Sequence, residues 1–188
     1  MPNEDFTPDY SDIEGDEPTT APAHQTLAEA ALYAAIPPEL MERIDDEASL
    51  ALIVTVPSAD WVEPTVEALG SLREWNEILV PHINAKKRPA SDVCARKLAK
   101  GESVVGVAVA PERQLPPSLI TAADARVVVS APSNEVLARV IATATGERSM
   151  AMPPRLATGL DFYDLVAAIR VGSTAEDCIR RLEAAAAN

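Results

Sequence analysis

The loop Pro57–Thr65 lies where a nucleotide-binding protein would hold phosphate, between an apolar strand and an amphipathic helix. A phosphate loop needs glycines, which let backbone N–H groups approach the anion, and a lysine for charge. This loop reads Pro-Ser-Ala-Asp-Trp-Val-Glu-Pro-Thr and contains neither residue. Its carboxylates, Asp60 and Glu63, would repel a polyphosphate, and Pro64 removes one donor. We therefore expect no ATP binding at this loop and no cofactor.

Catalytic and metal sites have characteristic spacings, and the remaining polar residues do not show them. The strand Val104–Val109 runs into Glu112 and Arg113, whereas magnesium chemistry would place paired acids at its end. His24 and His82 have no acid or thiol at a fixed spacing that would indicate a triad or a metal cluster. The sequence therefore predicts no catalytic residue and no metal ligand.

The cysteines and the closely spaced acids have simpler interpretations. Cys94 and Cys178 are far apart and have no CxxC spacing, which favours buried, reduced thiols over a disulfide or a catalytic role. The pair Asp45-Asp46 is typical of a helix end, and Asp161 with Asp164 is typical of a helix start. Nothing near them indicates the burial that would separate the pKa values of an acid/base dyad.

Composition excludes two classes of partner. The chain has 188 residues, enough for one medium domain, and a formal net charge of -13, which repels a phosphate backbone. The basic run Lys86-Lys87-Arg88 lacks interleaved aromatics, so we interpret it as a solvated loop, with a docking patch for an acidic partner as the alternative. Apolar stretches such as Leu50–Val56 are too short to span a bilayer, and no signal peptide is recognisable. We expect no nucleic acid, no membrane and a cytoplasmic location.

Three regions follow along the chain. Residues 1–24 carry seven acids and no Lys or Arg, which predicts a disordered tail. Residues 25–146 alternate apolar strands with amphipathic helices, which predicts an α/β domain with a parallel or mixed sheet flanked by helices. Residues 147–188 contain only helical patterns and predict a small helical subdomain. The expected strands are Leu50–Val56, Ile78–Val80, Val104–Val109 and Arg126–Ser130.

The order of these elements resembles an AAA+ ATPase in miniature. After the first strand, turn and helix come the strand Val104–Val109, the turn Leu115-Pro-Pro-Ser-Leu119, the basic Arg126 with its strand, and a helix ending near Gly146. The last two helices resemble the helical lid of that family. More narrowly, residues 115–182 are similar to the region preceding the ATPase module of bacterial AAA-family ATPases.

This resemblance implies a degenerate AAA+-like domain, because the loop at Pro57 lacks the glycine–lysine core that ATP hydrolysis requires. Such a domain would serve recognition or assembly of an AAA-family ATPase, or would pack against copies of itself. Our first hypothesis is therefore a non-catalytic protein-interaction domain. Its candidate contact residues are Trp61, Trp75 and Arg126.

Two alternatives stay open. One is an enzyme with a divergent pocket at the carboxyl ends of the strands, where α/β sheets usually bind ligands. The other is an immunity or regulatory protein whose acidic surface masks a basic partner. The candidate pocket residues, in addition to Trp61, are Ser58, Asp60, Glu112, Arg113 and Ser133.

Overall fold

The computed structural model describes residues 23–46, 49–81, 91–147, 152–154 and 156–187. Within these ranges the strands are β1 (Ala51–Thr55), β2 (Glu77–Leu79), β3 (Val104–Ala108) and β4 (Ala125–Val128). They form one parallel sheet in the order β2-β3-β1-β4. The α/β prediction is confirmed, and the sheet is parallel rather than mixed. The tail up to residue 22, His82 and the run Lys86-Lys87-Arg88 lie outside the described residues.

Helices surround this sheet in the described part of the chain. They are α1 (Ala23–Ala35), α2 (Pro38–Asp45), α3 (Val62–Leu72), α4 (Ser91–Ala99), α5 (Pro111–Gln114), α6 (Pro117–Ala122), α7 (Asn134–Thr145), α8 (Phe162–Ala168) and α9 (Ala175–Ala186). Helix α1 begins two residues before the domain start expected at residue 25.

The sequence marks most helix starts. Helices α2, α5 and α6 begin with proline, whose missing N–H is not needed in the first turn. Helices α7, α8 and α9 follow Ser133, Asp161 and Thr174, and each of these side chains accepts a backbone N–H of the first turn. Helix α7 ends at Gly146 in the left-handed conformation. These local signals fix where the chain enters and leaves each helix.

Alternation along the strands divides the core into two layers. In β1, Leu52 and Val54 face the larger cluster, which contains buried residues of α1, α3, α7, α8 and α9. Ala51 and Ile53 face the smaller cluster, which includes residues of α4, α6 and the loop before α6. Because neighbouring side chains of a strand point to opposite faces, both faces of the sheet must be covered.

The C-terminal helices share the larger cluster with the sheet. Phe162 of α8 is fully buried, and its ring lies edge-on against Trp61 with 4.8 Å between the ring centroids. Leu165 of α8 and Leu182 of α9 are buried in the same cluster. The division into an α/β domain and a lid-like subdomain stays a prediction.

Gly106 in the middle of β3 gives a first test of the smaller layer. A Cβ at this position would lie 2.6 Å from Cδ1 of Leu115 and 2.6 Å from Cδ2 of Leu119, both of which are fully buried. We expect Gly106→Ala to lower the free energy of unfolding by about 1–3 kcal/mol, measured by urea denaturation.

The matched control for this substitution is Gly70→Ala. Gly70 lies in the exposed part of α3, where an added Cβ meets no atom within 4 Å, and alanine is the better helix former. We expect Gly70→Ala to raise stability by roughly 0.5–1 kcal/mol. A Gly106→Ala variant as stable as the wild type would contradict the close approach of α6 to β3.

Phe162 gives a second test, of the link between the C-terminal helices and the sheet. Truncation to alanine leaves a cavity beside Trp61, so Phe162→Ala should lower the free energy of unfolding by roughly 3–5 kcal/mol. The neighbouring Tyr163 is 59% exposed, and Tyr163→Ala should change stability by no more than about 0.5 kcal/mol. Equal effects of the two substitutions in thermal or urea unfolding would show that α8 does not pack in this orientation.

Candidate functional site

The candidate site is built where β1 leaves the sheet. The last residues of β1 continue to Val56, whose N–H donates to the carbonyl of Ala108 at the end of β3. Pro57 and Ser58 then turn the chain into one 3-10 turn, Ala59–Trp61, that leads directly into α3. This turn lies at the carboxyl edge of the sheet and contains the buried Trp61 next to the partly exposed Asp60.

Trp61 points inward from this turn. Its side chain is buried, and its ring packs edge-on against Phe162 of α8. The next residue of α8, Tyr163, is rotated about a third of a turn around the helix and is exposed. Its ring lies 5.6 Å from that of Phe162, also in an edge arrangement. The buried pair thus places an exposed tyrosine beside the turn.

A groove of about 390 Å³ lies between this turn, the first part of α3, the end of β2 and Tyr163. Most of its described lining is aliphatic, and the polar side chains among these residues are two carboxylates and the tyrosine. The lining residues are Ala59, Asp60, Val62, Glu63, Val66, Val80, Pro81 and Tyr163. We refer to this site as the carboxyl-edge groove.

The carboxyl-edge groove is negatively charged. Asp60 stands on the 3-10 turn and Glu63 in the first turn of α3, and neither makes an ion pair with another described residue. None of the lining side chains that the structure describes is basic.

The two tryptophans expected as candidate interaction anchors lie in the core of this chain. Trp61 is 3% exposed and Trp75 is 9% exposed. The Trp75 indole donates to the carbonyl of Leu69 at 3.0 Å, and the Arg73 guanidinium lies 4.9 Å from its ring centroid. In this conformation both indoles act as core side chains rather than as exposed anchors.

Arg126 stabilises the edge of the sheet. Its Nη1 lies 2.6 Å from a carboxylate oxygen of Glu112, and its Nη2 donates to the carbonyl of Ile120. The guanidinium therefore ties edge strand β4 to α5 and α6. The hydrogen bond from Arg126 lowers the pKa of Glu112 below its ordinary value.

The residues of the alternative enzyme pocket are engaged in different places. Asp60 lines the carboxyl-edge groove, while Ser133 caps α7 and lines grooves beside Pro132. Glu112 is paired with Arg126, and Arg113 follows it in the short helix α5. The hydroxyl of Ser58 is buried and has no hydrogen-bond partner among the described residues. These contacts do not assemble a nucleophile with a base.

The other candidate reactive groups have structural roles. Cys94 and Cys178 are buried and free, as expected, and burial raises the pKa of the Cys94 thiol. Asp161 and Asp164 form a capping box at the start of α8, which confirms the interpretation as a helix start. Across the described ranges, no cluster of three or more His, Cys, Asp or Glu is placed to hold a metal. Within those same ranges, no helix is long and apolar enough to cross a bilayer.

No family model, curated protein or solved structure matches this chain. The resemblance to AAA+ ATPases therefore rests on the order and spacing of sequence elements alone. A parallel sheet with helices on both faces is compatible with that family but is shared by many unrelated α/β proteins. Function has to be argued from the carboxyl-edge groove itself.

Sequence reasoning located the edge of the sheet but missed most of the groove. It named Asp60 but not Val66, Val80 or Tyr163. A signal for Tyr163 exists, since Phe162 and Leu165 mark the buried face of a helix and leave Tyr163 on the outside. No signal in the sequence places α8 next to the turn at Trp61, because that contact joins segments about a hundred residues apart.

The Arg126–Glu112 pair gives a pH-dependent prediction. Because the folded pKa of Glu112 is lowered, the pair contributes stability above the ordinary carboxyl pKa, and the contribution is lost as pH falls through the folded pKa. We expect Arg126→Met to raise the pKa of Glu112 toward its ordinary value, measured by carbon NMR titration of the carboxyl group. Arg113→Met is the matched control and should leave that pKa low. An unchanged pKa in Arg126→Met would contradict the assigned pairing.

Proposed function

We propose that this chain is a non-catalytic protein-interaction domain and that the carboxyl-edge groove receives a side chain from a partner protein. One observation carries the proposal: a half-exposed tyrosine forms the wall of an aliphatic groove at the edge of the sheet where α/β proteins bind their ligands. Tyrosine is among the residues that dominate binding energy at protein interfaces.

The lining supports binding rather than catalysis. Among the described lining residues the polar side chains are Asp60, Glu63 and Tyr163, and these residues include no serine, cysteine or histidine that could act as nucleophile or base. Val62, Val66 and Val80 supply apolar area whose removal from water favours association. A partner side chain that entered the groove would cover this area together with the Tyr163 ring.

The identity of the partner is proposed from the sequence order. The resemblance to the region preceding the ATPase module of bacterial AAA-family ATPases supports an ATPase of that family, or a second copy of this chain, as the partner. An AAA+-like fold is part of this proposal. So is a cytoplasmic location, where buried free thiols such as Cys94 and Cys178 stay reduced.

The proposal is tested by a matched pair of tyrosine substitutions. Tyr163→Asp removes the aromatic ring that lines the groove, whereas Tyr33→Asp makes the same change on the exposed side of α1, where the tyrosine is 49% exposed. Proteins retained by the tagged wild type are identified, purified and titrated by calorimetry. We expect Tyr163→Asp to weaken the direct interaction by about thirty-fold or more, as for an interface hot spot, and Tyr33→Asp to leave it unchanged.

Self-association is measured in parallel by sedimentation equilibrium of the same three proteins. A dimer lost only in Tyr163→Asp would identify a second copy as the partner. Equal affinities of Tyr163→Asp and the wild type for every purified partner, together with an unchanged oligomeric state, would show that the groove is not the interaction site.

A further inference from the structure

The charge and the shape of the carboxyl-edge groove together specify what enters it. We propose that the occupant is a segment of a partner protein that presents one large apolar side chain flanked by lysine or arginine. This inference rests on the proposed function and names the chemical class of the partner.

The groove carries two negative charges that no described basic side chain compensates. Asp60 and Glu63 stand at the groove about one helical turn apart in sequence, and no described basic side chain is paired with either of them. Other acids in the described structure do have basic partners, such as Glu112 with Arg126 and Glu102 with Lys97. A cation brought into the groove would therefore meet two carboxylates that have no ion-pair partner in the described part of the chain.

The exposed ring of Tyr163 in the groove also favours a cationic ligand. An aromatic ring attracts a cation to its face, and arginine is the side chain that most often uses this contact in proteins. Tyr163 lines the groove, contacts Phe162 in an edge arrangement and is 59% exposed, so its ring is accessible to a ligand. The Tyr163 ring and the two carboxylates of the groove all favour a positively charged ligand.

The aliphatic side chains that line the groove favour an apolar group in the ligand. The side chains of Val62, Val66, Val80 and Pro81 carry no hydrogen-bonding group for a purely polar ligand. A wholly polar cationic segment would leave this area in water, whereas an apolar side chain between the cations would cover it. The combination selects a basic segment with an apolar centre.

Charge also disfavours competing occupants. The N-terminal 24 residues of this chain carry seven acids, and the whole chain has a net charge of -13, so its own tail would be repelled from the groove. Nucleic acid would be repelled for the same reason. Compared with these two, a basic segment of another protein complements the charge of the groove.

The test uses synthetic nine-residue peptides as probes, followed by NMR of the isotopically labelled full chain. The first peptide has a central phenylalanine between two pairs of lysines. In the second, glutamates replace the lysines, and in the third, alanine replaces the phenylalanine. We expect the first peptide to shift the amide signals of Val62, Val66 and Tyr163, and to bind at least five-fold more tightly than either of the others at low salt.

Charge-neutral substitutions at the groove should weaken binding of the first peptide. We expect Asp60→Asn and Glu63→Gln each to lower its affinity about two- to five-fold, and added salt to lower it further because the ionic contribution is screened. Glu42→Gln on the exposed side of α2 is the matched control and should leave the affinity unchanged.

The outcomes separate this inference from the function beneath it. Equal groove binding of the lysine and glutamate peptides would overturn the charge preference and leave the interaction function standing. Absence of any groove shift, combined with partner binding that survives Tyr163→Asp, would overturn both. A more than ten-fold gain in peptide affinity when Lys86, Lys87 and Arg88 are all changed to Gln would identify this chain's own basic run as the occupant, which would also overturn the inference.

Discussion

Both faces of strand β1 are buried, and the arrangement of the other elements follows from that constraint. Its neighbours β3 and β4 satisfy its backbone on both edges, while Leu52 and Val54 point to one helical layer and Ile53 to the other. A strand buried in this way needs helices on both faces of the sheet. The loops that join strands to helices then collect at the carboxyl edge, which is where the groove forms.

The aromatic contact between Trp61 and Phe162 forms part of the support of the carboxyl-edge groove. The chain leaves β1 through a 3-10 turn that ends at Trp61. The buried ring of Trp61 packs edge-on against Phe162. That contact brings α8 to the turn and leaves Tyr163 on the open side of the groove. Our proposal therefore assigns stability and binding to adjacent residues: the buried ring of Phe162 anchors the helix, and the exposed ring of Tyr163 is the one proposed to contact a partner.

Much of the fold could be predicted because its signals are local. The apolar run around β1, Ser133 as a helix cap and Gly146 as a helix end each act over a few residues, and the structure places all three as expected. The burial of Trp75 could not be predicted, because an indole looks the same in sequence whether it faces the core or a partner. The groove could not be predicted for a related reason. It depends on the tertiary contact between Trp61 and Phe162, and no sequence pattern near either of these residues encodes that contact.

The central claim is that the carboxyl-edge groove contacts another protein in the host. Site-specific photocrosslinking measures this directly, with a benzophenone side chain in place of Val66 in the groove and, as the control, in place of exposed Val128 on edge strand β4. Our account predicts a discrete protein adduct from position 66 that disappears when Tyr163 is also changed to Asp, and no such adduct from position 128. Irradiated cells that yield no adduct from position 66, or the same adduct from both positions, would contradict it.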